Sequence, residues 1–289
     1  MNEADPESLN LLGGDLLAEG RLDEAAGAYR AAAEAAPDWG APWFNLGLVY
    51  KRLRRWEDSA RCSRRAAELD PQDGGAWWNL GIAATALERW DDARTAWASC
   101  GIPVPPGEGP LRMRFGPVPV RLAANQEVVW CDRIDPARGV IENVPFAESG
   151  RHRGDVVLHD GEADGFRLRD GRQIPVFNEI QRLRSSGEST FQAFVFAAAP
   201  EEAEALREMA DERGMAVEDW TGSVRILCEA CSHGTPHSDC GEASAPDWTP
   251  ERRVGISAVS HDAVRTLLHA WAEAGTRRSV SAPVCVLPA

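Results

Sequence analysis

The sequence predicts a chain of three parts: an all-α repeat superhelix, a small β-barrel or β-sheet domain, and an α+β domain carrying an inserted loop. Three observations carry this. Glycines, leucines and prolines recur every 34 positions through the first hundred residues. Asp-Gly pairs then separate short runs of β-favouring residues. Beyond residue 190, β-favouring and helical runs alternate around a Cys-rich insertion. A chain of 289 residues has room for this, at roughly 100–200 residues per domain.

The repeats come first. Gly13, Gly47 and Gly81 stand in one register, as do Leu12, Leu46 and Leu80, and Pro37, Pro71 and Pro105. Trp43 and Trp77 match each other, with Leu9 in the first copy. A glycine in one helix lets the next approach closely, and a proline ends the second helix of each pair. One helical pair cannot bury its apolar face alone, so stacking is required. This pattern resembles tetratricopeptide (TPR) repeats, whose first helix runs W-x₂-L-G-x₂-Y. Trp43-Phe44-Asn45-Leu46-Gly47-Leu48-Val49-Tyr50 matches it closely, and the resemblance covers residues 6–103 as three repeats. Ala25, Ser59 and Ala93 take the small position where the two helices touch.

The resemblance implies a protein- or peptide-binding concave groove. Carried over position by position, the groove residues are Asn10, Phe44, Asn45, Leu48, Lys51, Arg52, Trp78, Asn79 and Ile82. The clamp by which some TPR proteins hold a C-terminal carboxylate is not matched, because Asn10, Gly14 and Asn79 occupy its places. The expected ligand is extended or helical, with an apolar anchor and some acidic character read by Lys51 and Arg52. The basic run Lys51, Arg52, Arg54, Arg55, Arg61, Arg64 and Arg65 reads either as a site for an acidic partner or as a solvated face. Ion pairs Glu57–Arg61 and Arg64–Glu68 would serve the latter.

Residues 104–110 are dense in Pro and Gly and read as a linker. The polar helix that normally closes such an array is missing. The end near Trp97 is therefore expected to be covered by the next domain or a partner. Residues 111–185 read as a small antiparallel β-barrel or sheet of SH3-like type. Strands are expected at Val118–Leu122, Glu127–Trp130, Asp155–His159, Gly165–Leu168 and Gln173–Phe177, with hairpin turns at Asp160-Gly161 and Asp170-Gly171. Residues 190–289 read as strand 190–197, a helix from Pro200, strands 216–220 and 224–228, strand 253–259, a helix capped by Ser260, and a last strand 279–287. Two β-α-β units in this order suggest a ferredoxin-like sandwich, with the zinc-loop insertion 228–248 between them.

That insertion carries the clearest chemistry. Cys228 and Cys231 form a Cys-x-x-Cys, and His237 and Cys240 form a second pair with the same spacing. Four soft or borderline ligands in two pairs suit a tetrahedral structural Zn²⁺. His233 is the alternative imidazole. Reduced cysteines in a loop, or a redox pair, are the competing readings. Cys62, Cys100, Cys131 and Cys285 read as buried apolar residues. His152 and His159 read as solvated turn residues. No phosphate-binding glycine loop, serine nucleophile elbow or zinc-protease motif is present.

The net charge of −14 argues against a general nucleic-acid or anionic-membrane binder. The absence of a long apolar run or apolar leader points to the cytoplasm. A single Lys among 31 basic residues suggests a GC-rich bacterial source. The layout also resembles uncharacterised bacterial TPR proteins with a Cys-x-x-Cys tail, which implies no activity. The expected function is a non-catalytic binding adaptor. The alternatives are an RNA- or ribosome-associated regulator and a hydrolase with an open zinc site.

Overall fold

The computed structural model describes residues 5–169, 172–221 and 248–289. The chain divides into two compact units, Met1–Met113 and Arg114–Ala289.

Six helices build the first unit: α1 (Pro6–Ala18), α2 (Leu22–Ala35), α3 (Gly40–Arg52), α4 (Trp56–Leu69), α5 (Gly74–Ala86) and α6 (Trp90–Ser99). Each packs on its neighbours in sequence. The 34-residue period is visible as contacts. A Cβ on Gly13 would lie 2.6 Å from the Tyr29 ring, one on Gly47 2.7 Å from the Ser63 hydroxyl, and one on Gly81 2.6 Å from the Trp97 ring. Each second helix thus uses the space that glycine leaves in the first. The Trp43 indole donates to the Pro37 carbonyl at 3.1 Å, and the Trp77 indole to Pro71 at 3.0 Å. Ser59 and Ala93, at the small position, are fully buried, and the Ser59 hydroxyl donates to the Gly47 carbonyl at 2.9 Å.

The turns inside the pairs also repeat. Gly20, Arg54 and Glu88 stand one period apart, with φ of 76°, 56° and 57°. The following amides of Arg21, Arg55 and Arg89 donate to Leu16, Tyr50 and Ala84, five residues back, which closes each first helix. After α6 the chain takes no regular form up to residue 116. Two carbonyls of the segment read as a linker, Pro105 and Gly109, accept from the Arg94 guanidinium at 2.9 Å each. Leu111, one period after Trp77, is 1% exposed.

The second unit holds a closed barrel and a separate sheet. The barrel comprises β1 (Pro117–Arg121), β2 (Val128–Arg133), β3 (Arg138–Ile141), β4 (Val156–Arg169) and β5 (Arg172–Arg184). Neighbours pair antiparallel, and β5 closes on β1 in parallel at Val120↔Phe177. Val120, Leu122, Val129, Cys131, Ile141, Val157 and Phe177 share its core. The expected hairpin at Asp160-Gly161 is not formed. Those residues lie inside β4, where the register against β5 shifts between His159 and Ala163. An irregular strand absorbs extra residues as a bulge, and an Asp-Gly pair suits that as well as a turn. Strand β3 had no sequence signal beyond four residues, one of them Gly139.

The sheet contains β6 (Ser189–Phe196), β7 (Ala216–Asp219), β8 (Glu251–Ala258), β9 (Ser279–Val280) and β10 (Val284–Leu287), with helices α7 (Pro200–Asp211) and α8 (His261–Glu273). The order is β10-β6-β8-β7, all pairs antiparallel, and β9 also pairs with β6. Ser260 caps α8, its hydroxyl accepting from the Ala263 amide at 3.2 Å. Phe191, Val195, Leu206, Ile256, Leu267 and Trp271 are among its core residues. The expected last strand is broken into two by Ser281–Pro283. The expected strand 224–228 and the zinc loop lie outside the described residues, apart from Trp248.

Barrel and sheet are tied together within this unit. The Glu218 carboxylate accepts from Asn143 Nδ2 at 2.8 Å and from the Val144 amide at 2.9 Å. The Trp220 indole donates back to the Val144 carbonyl at 3.0 Å and stacks edge-on against Phe146 at 5.3 Å.

Arg54 and Glu88 hold a left-handed conformation that costs a side chain about 1 kcal/mol relative to glycine. Glu88→Gly should stabilise the repeat unit by about 1 kcal/mol, where Gly81→Ala should destabilise it by about 1–3 kcal/mol by forcing a methyl into the Trp97 ring. Urea unfolding followed by tryptophan fluorescence checks both; a destabilised Glu88→Gly variant would mean that the turn is not strained.

Candidate functional site

The groove residues inferred from the repeat pattern sort into two groups. Phe44, Leu48 and Arg52 stand four residues apart on α3, along one row of the helix. Phe44 and Leu48 are half-buried and Arg52 is exposed. Beside them, Asn45 donates from its side-chain amide to the Asn10 carbonyl oxygen of α1 at 3.1 Å. This part of the face offers an apolar row ending in a guanidinium, with an amide pair alongside.

The other residues are less open. Lys51 is 6% exposed, Asn79 5% and Ile82 0%. Helix α5 has no charged residue, and everything from Asn79 to Thr85 in it is buried. A helix apolar on every side is one that is covered. Trp78 is half-buried, with its ring 5.0 Å from that of Trp97 in an edge-on contact. Among the described residues, its indole nitrogen is one of the buried polar atoms lacking a hydrogen-bond partner.

The basic run is largely paired. Arg55 and Arg61 both reach Asp58 at 2.6 Å, Arg64 reaches Asp92 at 2.7 Å, and Arg65 reaches Asp38 at 3.1 Å. Glu57 takes Arg89 at 2.7 Å rather than Arg61. Pairing therefore runs between repeats as well as along a helix. Exposed pairs of this kind contribute little stability, but they mask the cations from an incoming acidic partner.

The proposed zinc ligands Cys228, Cys231, His237 and Cys240, and the alternative His233, lie outside the described residues. Among the described residues, no group of His, Cys, Asp and Glu is arranged to hold a metal ion. Cys62 and Cys131 are buried as expected, whereas Cys100 is half-buried and Cys285 exposed. Burial pushes the Cys62 and Cys100 thiols up to about 11, which suppresses the reactive thiolate.

The two barrel histidines are not solvated. His152 is 3% exposed and His159 is fully buried. The His152 Nε2 donates to the Pro288 carbonyl at 3.1 Å, and its Nδ1 stands 3.8 Å from Asp155. The His159 Nδ1 donates to the Asp160 carbonyl at 2.8 Å, and its ring stacks on Phe177 at 5.1 Å. The Arg133 guanidinium lies between the Phe115 and Phe177 rings, 5.0 and 4.9 Å from their centres. The only sequence signal for this stack is the placement of His159 on a strand whose neighbours Val157 and Leu158 are apolar. Burial holds His159 down to about 4, and it lowers Arg133 as well. A histidine this acidic is neutral at pH 7 and packs as an aromatic ring.

Residues 44–99 match the family model of the tetratricopeptide repeat. No curated protein matches the chain. Among solved structures, the chain is similar to the second TPR of Spaghetti (RPAP3) bound to an HSP90 peptide, at 20% identity and a TM-score of 0.33, covering 34% of this chain and 92% of that one. The first TPR of the same protein follows at 21% identity and a TM-score of 0.33, covering 35% and 79%. A MamA mutant shows 23% identity and a TM-score of 0.32, covering 33% and 56%.

The buried state of His159 sets a pH dependence. Its folded value of about 4 lies below the unfolded value of about 6.5, so the unfolded chain binds the extra proton between them. The associated stability is complete above pH 6.5 and declines as the pH falls toward 4, by up to about 1.4 kcal/mol per unit. His159→Phe should flatten that slope for the second unit. Equal slopes in chemical unfolding of the two proteins across pH 4.5–6.5 would show that His159 is not the group responsible.

Proposed function

We propose that the chain is a non-catalytic binding adaptor that captures a protein or peptide on the concave face of its tetratricopeptide repeats. The observation that carries this is the matched repeat itself, joined to the partly exposed row Phe44, Leu48 and Arg52 on α3. Stacked repeats of this kind build extended concave binding surfaces. The ligand that fits is apolar along most of its contact, with one acidic group placed for Arg52. Lys51 is too buried to read the ligand as freely as Arg52. Asn45 and Asn10 can open their mutual bond to grip a peptide backbone.

The second unit supplies a further interaction surface in this reading. Its sheet order, with the first strand beside the last and the third between the first and second, supports a ferredoxin-like sandwich. The loop that leaves β7 and returns to β8 would carry a structural Zn²⁺ on Cys228, Cys231, His237 and Cys240. Three thiolates and one imidazole are the donor set that zinc prefers, and four protein ligands leave no place for a reacting water.

Two experiments test these readings separately. A partner captured from a lysate of the source organism should be retained by the wild-type chain and held more weakly by Leu48→Asp, by about 1–3 kcal/mol, and by Arg52→Glu, by about 1 kcal/mol. A partner held equally by both variants would place the site off the concave face. For the loop, elemental analysis of protein prepared without chelator should find about one zinc per chain, and Cys231→Ser should lower that content and the melting temperature of the second unit. Wild-type protein free of zinc would remove the metal from the account.

A further inference from the structure

The repeats contain their own record of what covers a first helix. Leu46 on α3 is 2% exposed and shares a core cluster with Ala26 and Leu22 of α2. One period later, Leu80 on α5 is 2% exposed and shares a cluster with Ala60 and Trp56 of α4. The covering helix thus brings a large apolar residue, Leu22 or Trp56, and an alanine four residues on. In the first repeat the equivalent residue, Leu12, is 49% exposed, and Leu11 beside it is 69% exposed. Leu9, in the place of Trp43 and Trp77, is half-buried.

The opposite end of the array is treated differently. Helix α6 keeps Trp90 in the place of Leu22 and Trp56, but Arg94 replaces the alanine. That arginine binds the Pro105 and Gly109 carbonyls, so the chain that follows α6 closes its outer side. A second copy cannot therefore stack its α6 on α1. Nor is α1 suited to pair with itself. It carries Glu7 and Asp15, is flanked by Asp5 and Glu19, and has no basic residue. Two such helices face to face would repel.

We propose that the outer face of α1, centred on Leu9 and Leu12, docks an amphipathic helix of a partner protein. This helix presents Leu or Trp followed four residues later by Ala, and it carries basic residues at its flanks. It takes the place that α2 holds on α3 and that α4 holds on α5, and so continues the stacking interface of the array by one helix. The basic flanks answer Glu7 and Asp15. This face is separate from the concave row of Phe44, Leu48 and Arg52, and the proposal does not depend on that row binding anything.

The helix that comes nearest to the apolar part of this description is α4 itself, with Trp56 and Ala60, but its Arg55, Arg61, Arg64 and Arg65 are offset by Glu57, Asp58, Glu68 and Asp70. The probe is a synthetic peptide of residues 55–70, with Glu68→Lys and Asp70→Lys to make both flanks basic, Cys62→Ser to prevent oxidation and a hydrocarbon staple on its solvent side. Its binding to the full chain is followed by fluorescence anisotropy. Saturable binding is expected, weakened at least about tenfold by Leu12→Asp, weakened less by Leu12→Ala, and unchanged by Leu48→Asp. The alanine variant keeps the test valid should the aspartate fail to fold. Lack of saturation below about 1 mM would overturn the proposal, as would affinities that ignore both Leu12 variants or that follow Leu48. Sedimentation showing a dimer that Leu12→Asp dissolves would overturn it in favour of a second copy.

Discussion

The repeat unit depends on one close contact made three times. A glycine in each first helix leaves the space into which Tyr29, Ser63 or Trp97 of the second helix packs. Helix separation within a pair is set there, and the stacking of one pair on the next follows from it. The three partners differ widely in size. What the contact requires is the absent Cβ, and the residue opposite has changed from phenol to hydroxymethyl to indole with the helices still paired. Where the partner is an aromatic ring, dense packing leaves no room for even one methyl group. At Gly47 the nearest atom is the small Ser63 hydroxyl, with the Ser63 backbone nitrogen next at 3.2 Å, so there the backbone of the second helix itself approaches the glycine.

This explains how much of the first unit was legible. A constraint that recurs at fixed spacing leaves a periodic trace, and glycine, leucine, tryptophan and proline all carried it. The ends of the array broke the period and were harder to read. The repeat pattern shows that the polar closing helix is missing and leaves open what replaces it. Yet Arg94 stands one period after Ala60 and two after Ala26, and a long cation in an alanine position is itself the signal. It marks the place where the array stops accepting helices and begins to hold a irregular chain by its carbonyls. The concave face was only partly legible for a related reason. Sequence position says which way a residue points, but burial depends on what lies against it. Lys51 and Ile82 share the groove register with Arg52 and Leu48 and are nonetheless buried.

The second unit had no period to read. Its barrel relies on ionisable groups that composition alone would assign to the surface. Glu127, Asp135, Asp155 and His159 are fully buried. Asp135 holds the Ala137 and Arg138 amides and the Arg138 guanidinium. Asp155 accepts from the His152 and Ser186 amides and from Arg182. Asp155 gathers donors that sequence spacing does not connect, whereas those of Asp135 lie within three residues of it. A buried charge is tolerable only when so bonded, and removing one donor leaves the rest of the cost in place. At Asp160-Gly161, too, long-range pairing overrides local residues. Local residues allowed a turn, and the pairing of β4 with β5 across the whole hairpin decided for a bulge.

Charge then bears on what kind of partner such a chain can hold. A net charge of −14 repels acidic ligands at a distance, and the obvious cations of the repeat unit are mostly committed. Arg55, Arg61, Arg64, Arg65 and Arg89 face carboxylates of their own chain, and Lys51 is buried. A long-range field drawing an acidic peptide into the groove is thus absent, and attraction must come from contact. In the proposed reading the concave face would provide that through Phe44 and Leu48, with Arg52 selecting for a single acidic group after encounter. In such an arrangement the apolar row sets affinity and the guanidinium sets register, because a lone exposed ion pair adds at most about 1 kcal/mol. Adding salt should then change the affinity of a groove ligand only slightly, whereas a groove that worked through the whole basic run would lose it steeply.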